Sequence, residues 1–134
     1  MNVEELTLKM KKAVLIDVEK SEIREVELKG NLDDYYRFIK CDLITSVSVP
    51  NNEDHDVIVD DEGLLKPFKG LFSIDDENEP QFAGNGLIMR VNEDSGNWIT
   101  SKLSVDEVRK RVTFWKVFYT TAGRIIVRVP KNEE

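Results

Sequence analysis

Residues that build cofactor, metal and disulfide sites are nearly missing from this sequence. Its 134 residues include one cysteine, Cys41, and one histidine, His55. A single cysteine excludes an intramolecular disulfide and a cysteine-based zinc site, and a single histidine excludes an HExxH zinc motif. We therefore predict no cofactor and no metal site. Cys41 is predicted to be a packing residue, because no nearby histidine or second cysteine lowers the pKa of its thiol.

Long hydrophobic runs are also missing. No apolar stretch approaches the roughly 20 residues that span a bilayer, and the N-terminal segment MNVEELTLKMKK lacks the apolar core of a signal peptide. These absences predict a cytoplasmic protein that does not contact a membrane. The length suits one hydrophobic core. We expect residues 10–134 to form a single α+β domain, preceded by an N-terminal extension at residues 1–9.

Familiar catalytic and ion-binding motifs are not found either. There is no G-x-S-x-G nucleophile elbow, and Gly84-Asn85-Gly86 is only the first half of a G-x-G-x-x-G phosphate loop. An EF-hand calcium loop requires an aspartate five residues before its glycine. Ile58 and Val91 hold that position before Gly63 and Gly96. These absences predict that the protein is not an enzyme.

His55 has the most catalytic potential, since an imidazole can act as a general base or a metal ligand. Asp54 and Asp56 flank it. Adjacent residues of a strand point to opposite faces, so neither aspartate is expected to orient the ring. We interpret His55 as a turn or edge-strand histidine and retain it as a candidate ligand-binding residue.

The net charge of −7, from 19 basic and 26 acidic residues, is unevenly distributed. Residues 51–80 hold ten acids and two bases, for a net charge of −8, whereas residues 98–131 hold eight bases and two acids, for +6. In one interpretation these segments are solvated faces that pair weakly with each other. In the other, the basic segment binds an anion, while the acidic segment repels competing ligands or meets a basic protein.

The hydrophobic pattern predicts an α+β fold, mostly antiparallel sheet with one or two short helices and a C-terminal β-hairpin at residues 112–129. Asn31 or Asp33 caps the first helix, and a capping box at Ser104 begins the second. Leu64 and Leu65 are expected to return to the core. The first helix carries an apolar stripe of Leu32, Tyr35, Tyr36 and Ile39. The predicted strands are Ala13–Ile16, Ile23–Leu28, Leu43–Val49, His55–Asp60, Leu87–Val91, Val112–Tyr119 and Arg124–Val129, and Phe68–Ile74 is either a strand or a packed loop.

A basic run precedes an aromatic strand near the C-terminus. Arg109 and Arg111 come directly before a strand that contains Trp115 and Lys116. Aromatic rings interleaved with cations can stack on a base and bind a phosphate, so these four residues join His55 as candidate ligand-binding residues. In the competing interpretation, one face of this strand lies in the core and the other contacts a second subunit. The strand holds more large apolar residues than one sheet face can bury, which predicts a homo-oligomer through the hairpin.

Three stretches of the chain also carry a resemblance: KKAVLIDVEKSEIREVEL at 11–28, HDVIVDDEGLLK at 55–66 and PQFAGNGLIMRVNEDSGN at 80–97. Together they resemble a family of small uncharacterised proteins found in bacteriophages, prophages and bacterial mobile elements. The resemblance covers most of residues 10–114, and VDDEGLL at 59–65 is its most distinctive part. It implies no catalytic residue, because the family is a domain of unknown function. The hairpin extends past the matched part, as an addition for assembly or targeting. The resemblance implies a role for the motif residues Asp60, Asp61, Glu62, Gly63, Gly84 and Gly86.

A phage-type resemblance favours a non-enzymatic accessory protein. We expect it to bind and sequester a host protein or a small nucleotide signal as a counter-defence factor, in the host cytoplasm if it is phage-encoded. Long nucleic acid is not an expected partner, because the chain is acidic overall. One alternative is an acidic DNA mimic that inhibits a DNA-binding host enzyme through residues 51–80. The other is a small metal-dependent hydrolase that uses His55 with the neighbouring acids.

Overall fold

The computed structural model describes residues 10–131, so the extension predicted at residues 1–9 lies outside the described residues. Strands dominate the described part of the chain, with two short helices and one 3-10 turn between them. The elements are β1 (Lys11–Asp17), β2 (Glu22–Leu28), α1 (Leu32–Ile39), β3 (Ile44–Val49), β4 (Asn52–Asp60), the 3-10 turn (Gly63–Leu65), β5 (Gly70–Ile74), β6 (Phe82–Ala83), β7 (Gly86–Val91), β8 (Trp98–Ile99), α2 (Val105–Arg111), β9 (Val112–Thr120) and β10 (Gly123–Arg128).

The strands form two sheets in which every described pair is antiparallel. The first sheet has the order β2-β1-β7-β4-β3, with β8 also paired to β7, and the second has the order β10-β9-β5-β6. Strands make up 48% of the residues that the structure describes, and the helices are short. The broad prediction of an α+β fold with mostly antiparallel sheet and a C-terminal hairpin is confirmed, in a strand-rich form.

Alternating side chains give the first sheet a core on each of its faces. In β1, Val14 and Ile16 belong to the core that contains Phe72 of the second sheet. Leu15, between them, belongs to the core that contains Tyr35 of α1. The layers are therefore helix, six-stranded sheet and four-stranded sheet. Because both faces of β1 are covered, the strand is a continuous apolar run, as predicted.

Helix α1 covers the face of the first sheet that lies away from the second. The Oδ1 of Asn31 accepts a hydrogen bond from the backbone N–H of the third helical residue at 3.0 Å, which confirms it as the cap. The helix ends where Lys40 adopts a left-handed backbone conformation with φ of 62°. Tyr35 and Ile39 are buried, whereas Leu32 is mostly exposed although it lies on the predicted apolar stripe.

The expectation that Leu64 and Leu65 return to the core is wrong. Their exposed fractions are 61% and 84%. They lie in the 3-10 turn, where Gly63 makes the close contact: a Cβ at Gly63 would lie 2.7 Å from the carbonyl oxygen of Ala83. The chain therefore packs through its backbone at this point, and both leucines project outward.

The second sheet and α2 follow the predicted pattern closely. The sequence predicts that Phe68–Ile74 is a strand or a packed loop. In the structure Gly70–Ile74 is a strand, and Phe68 is buried in the loop before it. The capping box is present, with Ser104 Oγ accepting from the N–H of Glu107 at 3.1 Å. Helix α2 then runs directly into β9. Neither described helix is both long and apolar enough to cross a membrane.

Replacing Leu87 by alanine is expected to lower the free energy of unfolding by about 2–5 kcal/mol, because Leu87 is fully buried beneath α1. The same replacement at exposed Leu65 is expected to change it by less than about 0.5 kcal/mol. Urea denaturation of the two variants measures both values. Equal losses would contradict the outward placement of Leu65.

Candidate functional site

The predicted basic and aromatic residues do not converge on one surface. Trp115 is 5% exposed and packs with Phe68 and Leu71 on the outer face of the second sheet. Lys116 is exposed and, as the next residue along β9, points to the opposite face. The protein itself encloses the Trp115 ring, which is not placed to stack on a ligand beside Lys116.

Arg111 is held by partners within the protein. Its Nε and Nη2 donate to the carboxylate of Asp75 at 3.0 and 2.7 Å, and its Nη1 donates to Asn52 Oδ1 at 2.6 Å. The Pro50 carbonyl accepts a further hydrogen bond from Nη2. Hydrogen bonding to Asp75 raises the pKa of Arg111. Arg111 thus ties the end of α2 to the β3–β4 turn and to the loop after β5. It makes the one ion pair between the acidic and basic segments within residues 10–131.

Replacing Arg111 by alanine is expected to destabilise the protein by about 1–3 kcal/mol, because its polar partners lose charge-assisted hydrogen bonds. Arg109→Ala is the matched control. Arg109 is exposed and pairs with Asp106 of its own helix, so its loss is expected to cost less than about 0.5 kcal/mol. Thermal and urea denaturation measure both variants. An Arg111→Ala variant as stable as Arg109→Ala would contradict the structural role.

His55 lies inside the first sheet, so its interpretation as a turn or edge-strand residue is wrong. It is 2% exposed on β4, which lies between β7 and β3. Its Nδ1 lies 3.0 Å from Asp54 Oδ1, and its Nε2 accepts from the backbone N–H of Lys102 at 3.0 Å. The expectation that neither aspartate orients the ring is also wrong. The register between β3 and β4 shifts here and leaves residues 53–55 without a partner in β3, so strict alternation does not apply.

Thiol and metal chemistry gain no support from the side-chain arrangement. Cys41 is half-buried against the core beneath α1, and burial raises the pKa of its thiol, in keeping with the predicted packing role. Within residues 10–131, no group of three or more His, Cys, Asp or Glu side chains is arranged to hold a metal ion. Both ring nitrogens of His55 are engaged inside the protein.

The two motifs of the resemblance meet in a small cleft, which we call the motif cleft. Gly63 of the first motif lies against the backbone of Ala83, beside Gly84 of the second motif. Asn85 is buried between them; its Oδ1 accepts from the N–H that follows β1, and its Nδ2 donates to a carbonyl of α1, each at 3.0 Å. The cleft has a volume of about 170 Å³.

Ion pairs surround the motif cleft. Lys66 lies 2.7 Å from Asp60, and Glu19 lies 2.9 Å from Lys40 and 3.9 Å from Lys69. The hydrogen bond from Lys40 lowers the pKa of Glu19, and the hydrogen bond to Asp60 raises the pKa of Lys66. Each lysine at the cleft is therefore paired with a carboxylate. The arrangement is that of a packed junction between α1, the 3-10 turn and the β1–β2 turn.

The remaining motif residues serve the backbone or face solvent. Asp61 and Glu62 are exposed and do not line the motif cleft, and the N–H of Glu62 donates to Asp60 Oδ1 at 2.9 Å. Gly86 begins β7, where a Cβ would lie 2.6 Å from Cζ of Phe72. Its missing side chain allows the two sheets to approach each other. Packing thus accounts for both Gly63 and Gly86.

A larger groove lies between the start of β2, the end of α2 and the end of β10. Three cationic side chains line it, Arg109, Lys110 and Lys131, together with the half-buried ring of Phe114. Its volume is about 1020 Å³. We call it the basic groove, since it combines cations that can bind an anion with an apolar surface that can contact a ring. Its other lining residues are Ser21, Glu22, Ile23, Glu77, Val112, Val129 and Pro130.

The β1–β2 turn shapes one wall of the basic groove. Asp17 holds this turn: its carboxylate accepts from the N–H groups of Glu19 and Lys20 at 3.1 and 3.2 Å, and from Arg24 at 2.9 Å. Ser21 follows with φ of 54°, a left-handed backbone conformation that serine rarely adopts. Within residues 10–131 its buried Oγ has no hydrogen-bond partner. Because this oxygen is buried, it is not open to a ligand in the groove.

The Asp17 carboxylate makes stability depend on pH. Burial raises its pKa, but the hydrogen bonds from Arg24, Lys20 and Glu19 outweigh burial and hold the pKa below the ordinary value of 3.8. A lowered pKa stabilises the fold above the unfolded-state value, and this contribution is lost as the pH falls through the folded-state value. We expect Asp17→Asn to destabilise the protein by about 1–2 kcal/mol at pH 7. The difference from the parent protein should shrink below about pH 4. Denaturant titrations across pH measure it; a difference that does not depend on pH would contradict the assignment.

Sequence reasoning identified only Arg109 among the residues of the basic groove. Ser21 and Ile23 lie more than 80 residues from Arg109 in the chain. No local sequence pattern indicates that β2 and α2 contact each other. The one usable signal was the basic run at 109–111. Within that run, the sequence does not reveal that Arg109 and Lys110 line the groove whereas Arg111 is bonded elsewhere.

The C-terminal hairpin extends beyond its neighbour in the second sheet. β5 pairs with β9 only as far as Lys116, and from there the hairpin consists of β9 and β10 alone. Phe118, Tyr119 and Ile125 in this part are 54%, 56% and 53% exposed. The surplus of apolar residues read from the sequence is therefore present on the surface. The homo-oligomer inferred from it stays a prediction.

The acids of residues 51–80 do not form one uniform surface. Half of the ten take part in contacts within the protein. Asp54 bonds His55, Asp56 accepts from the Trp98 indole, Asp60 and Asp75 form ion pairs, and Asp76 accepts from two N–H groups of its own turn.

The fold and these surfaces define a strand-rich α+β protein in which a helix and two antiparallel sheets are layered, with a basic groove beside an exposed edge strand. The chain belongs to the family described as Domain of unknown function (DUF3846), whose model matches residues 10–113. Searches of curated proteins and of solved structures find no match. As predicted, the family match ends before most of the hairpin. Its base nevertheless belongs to the fold, since β9 pairs with β5 and buries Trp115.

Proposed function

We propose that the protein is a non-enzymatic binding protein that holds a small phosphate-bearing ligand, such as a nucleotide, in the basic groove. One observation carries this proposal. A groove of about 1020 Å³ brings Arg109, Lys110 and Lys131 together around an apolar surface that includes Phe114. Sites for small ligands are mostly apolar concavities of about 300–1,000 Å³ with a few polar groups that fix orientation.

The groups in the groove suit the two halves of a nucleotide. The cations supply charge-assisted hydrogen bonds to phosphate oxygens, and the Phe114 ring with Pro130 offers a surface for a base. Glu22 and Glu77 also line the groove, so its charge is only modestly positive, which suits a short ligand better than a long polyanion.

In the cell, we propose that binding sequesters the ligand. A phage or mobile-element origin and a counter-defence role rest on the resemblance of three stretches of the sequence, and a cytoplasmic location rests on the missing apolar segments; all three remain part of the proposal. A host protein is the second class of partner, because the exposed hairpin offers a surface separate from the groove.

The two alternatives have less support. A DNA mimic needs acids spread over one broad face, whereas five of the ten acids at 51–80 are engaged within the protein. A hydrolase built on His55 needs a ring nitrogen open to substrate or metal, and both nitrogens of His55 have partners inside the fold.

Calorimetric titration tests the groove with cyclic nucleotides, a cyclic dinucleotide and ATP, and with adenosine as the ligand that lacks phosphate. The double variant Arg109→Ala, Lys110→Ala is expected to weaken binding by about tenfold or more, because charge-assisted hydrogen bonds contribute about 1.5–3 kcal/mol. Lys102→Ala is the matched control, since it removes a charge from the same basic segment outside the groove.

Two results would count against the groove. If none of the phosphate-bearing probes binds, the proposed ligand class is wrong. If Lys102→Ala weakens binding as much as the groove variant does, the attraction is a general effect of charge rather than a site. A salt titration helps here, because general attraction falls steeply with ionic strength.

A further inference from the structure

One edge of the second sheet is formed by β10. The hydrogen bond from the Val129 N–H to the Phe114 carbonyl, at 2.8 Å, fixes which residues of β10 face β9. Hydrogen bonds in an antiparallel pair involve every second residue. Ile125 and Val127 therefore bond to β9, whereas Arg124, Ile126 and Arg128 direct their N–H and C=O groups away from the sheet. These three residues form what we call the open edge.

Within Gly123–Arg128 the open edge has charged side chains but neither a proline nor a bulge. Native edges are commonly blunted by charged side chains, proline, a bulge or a covering segment. Here the register of β9 with β10 is continuous from Gly123 to Arg128, and every residue of β10 is exposed. Ile125, Ile126 and Val127 are 53%, 38% and 48% exposed. Both faces of the strand thus present apolar side chains to solvent next to unpaired backbone groups.

Two arginines flank the centre of the open edge. Arg124 and Arg128 lie on the same face as Ile126, and within residues 10–131 neither guanidinium lies within ion-pair distance of a carboxylate. The Arg124 guanidinium lies 5.1 Å from the centre of the Phe68 ring, and Arg128 donates to the Glu77 carbonyl at 3.2 Å. Both arginines are therefore positioned by contacts other than ion pairs with the carboxylates of residues 10–131.

A second copy of the chain fits this edge poorly. Two β10 strands related by a twofold axis overlap fully only when Ile126 lies opposite Ile126. In that register Arg124 lies opposite Arg128 of the second copy at both ends, and like charges directly opposite each other destabilise a strand pair. The charge pattern instead complements an acidic strand.

We propose that the open edge binds an extended segment of a partner protein in which two acidic residues enclose three apolar ones. The segment adds a fifth strand to the second sheet, which is a recurring way to bind peptides. Its acids lie opposite Arg124 and Arg128, its central residue lies opposite Ile126, and the other two contact Ile125 and Val127. The order of acidic and apolar residues in the segment is the same from either end. The segment can therefore pair with β10 in a parallel or an antiparallel direction. This proposal does not depend on a ligand in the basic groove.

Synthetic peptides with the full-length protein test the proposal. One peptide has an Asp-Val-Ile-Val-Asp core between soluble flanks, and its partner has Lys-Val-Ile-Val-Lys. We expect the acidic peptide to bind at least tenfold more tightly than the lysine peptide, and Arg124→Glu, Arg128→Glu to reverse this preference. N-methylation of the backbone amides that face β10 should abolish binding of the acidic peptide, because it removes the strand hydrogen bonds. Amide shifts at residues 124–128 locate the contact.

The peptide changes keep the test valid even if the charge-reversed protein folds poorly. No measurable binding of the acidic peptide, equal binding of both peptides, or binding that survives N-methylation would each overturn the proposal. A dimer in light scattering that Arg124→Glu, Arg128→Glu alters would also overturn it, in favour of the second copy. Loss of nucleotide binding in Arg109→Ala, Lys110→Ala with unchanged peptide binding would separate the two sites.

Discussion

The close approach of the two sheets at Gly86 is the contact on which the rest of the structure depends. A side chain there would collide with the Phe72 ring, which is fully buried in the core between the sheets. Because the sheets touch through a glycine, a large aromatic ring can fill the space that would otherwise separate them. Val108 of α2 and Ile23 at the start of β2 also belong to that core. Those two elements are the walls of the basic groove.

The same packing gives the arginines different structural roles. Arg111 bonds to the β3–β4 turn and is neutralised by Asp75 in the loop after β5. Arg109, only two residues earlier, pairs with Asp106 of its own helix and lines the groove. On β10, the alternation of the strand places Arg124 and Arg128 together at the open edge. The place of each arginine in the fold, rather than the count of basic residues, decides which positive charges lie at the groove and at the open edge.

Much of the fold could be predicted from local pattern, because alternation, capping and turn residues act over a few positions. The C-terminal hairpin, the Asn31 cap and the Ser104 capping box all follow from such signals. The errors have a common origin in longer-range geometry. His55 meets Asp54 because the β3–β4 register shifts, and Leu65 points outward because Gly63 takes the contact with Ala83. The basic groove could not be predicted from the sequence for the same reason, since its walls come from both ends of the chain.

The family match and the structural unit have different boundaries, and this bears on where function lies. The match ends at residue 113, yet the groove takes Arg109 from inside the match and Val129, Pro130 and Lys131 from outside it. The motif cleft, by contrast, lies wholly within the matched part and is filled by packing and ion pairs. The features shared through the motifs therefore maintain the fold, whereas the surfaces that suit a ligand or a partner strand draw on the hairpin. The proposed binding surfaces accordingly combine residues of the family match with residues of the segment that follows it.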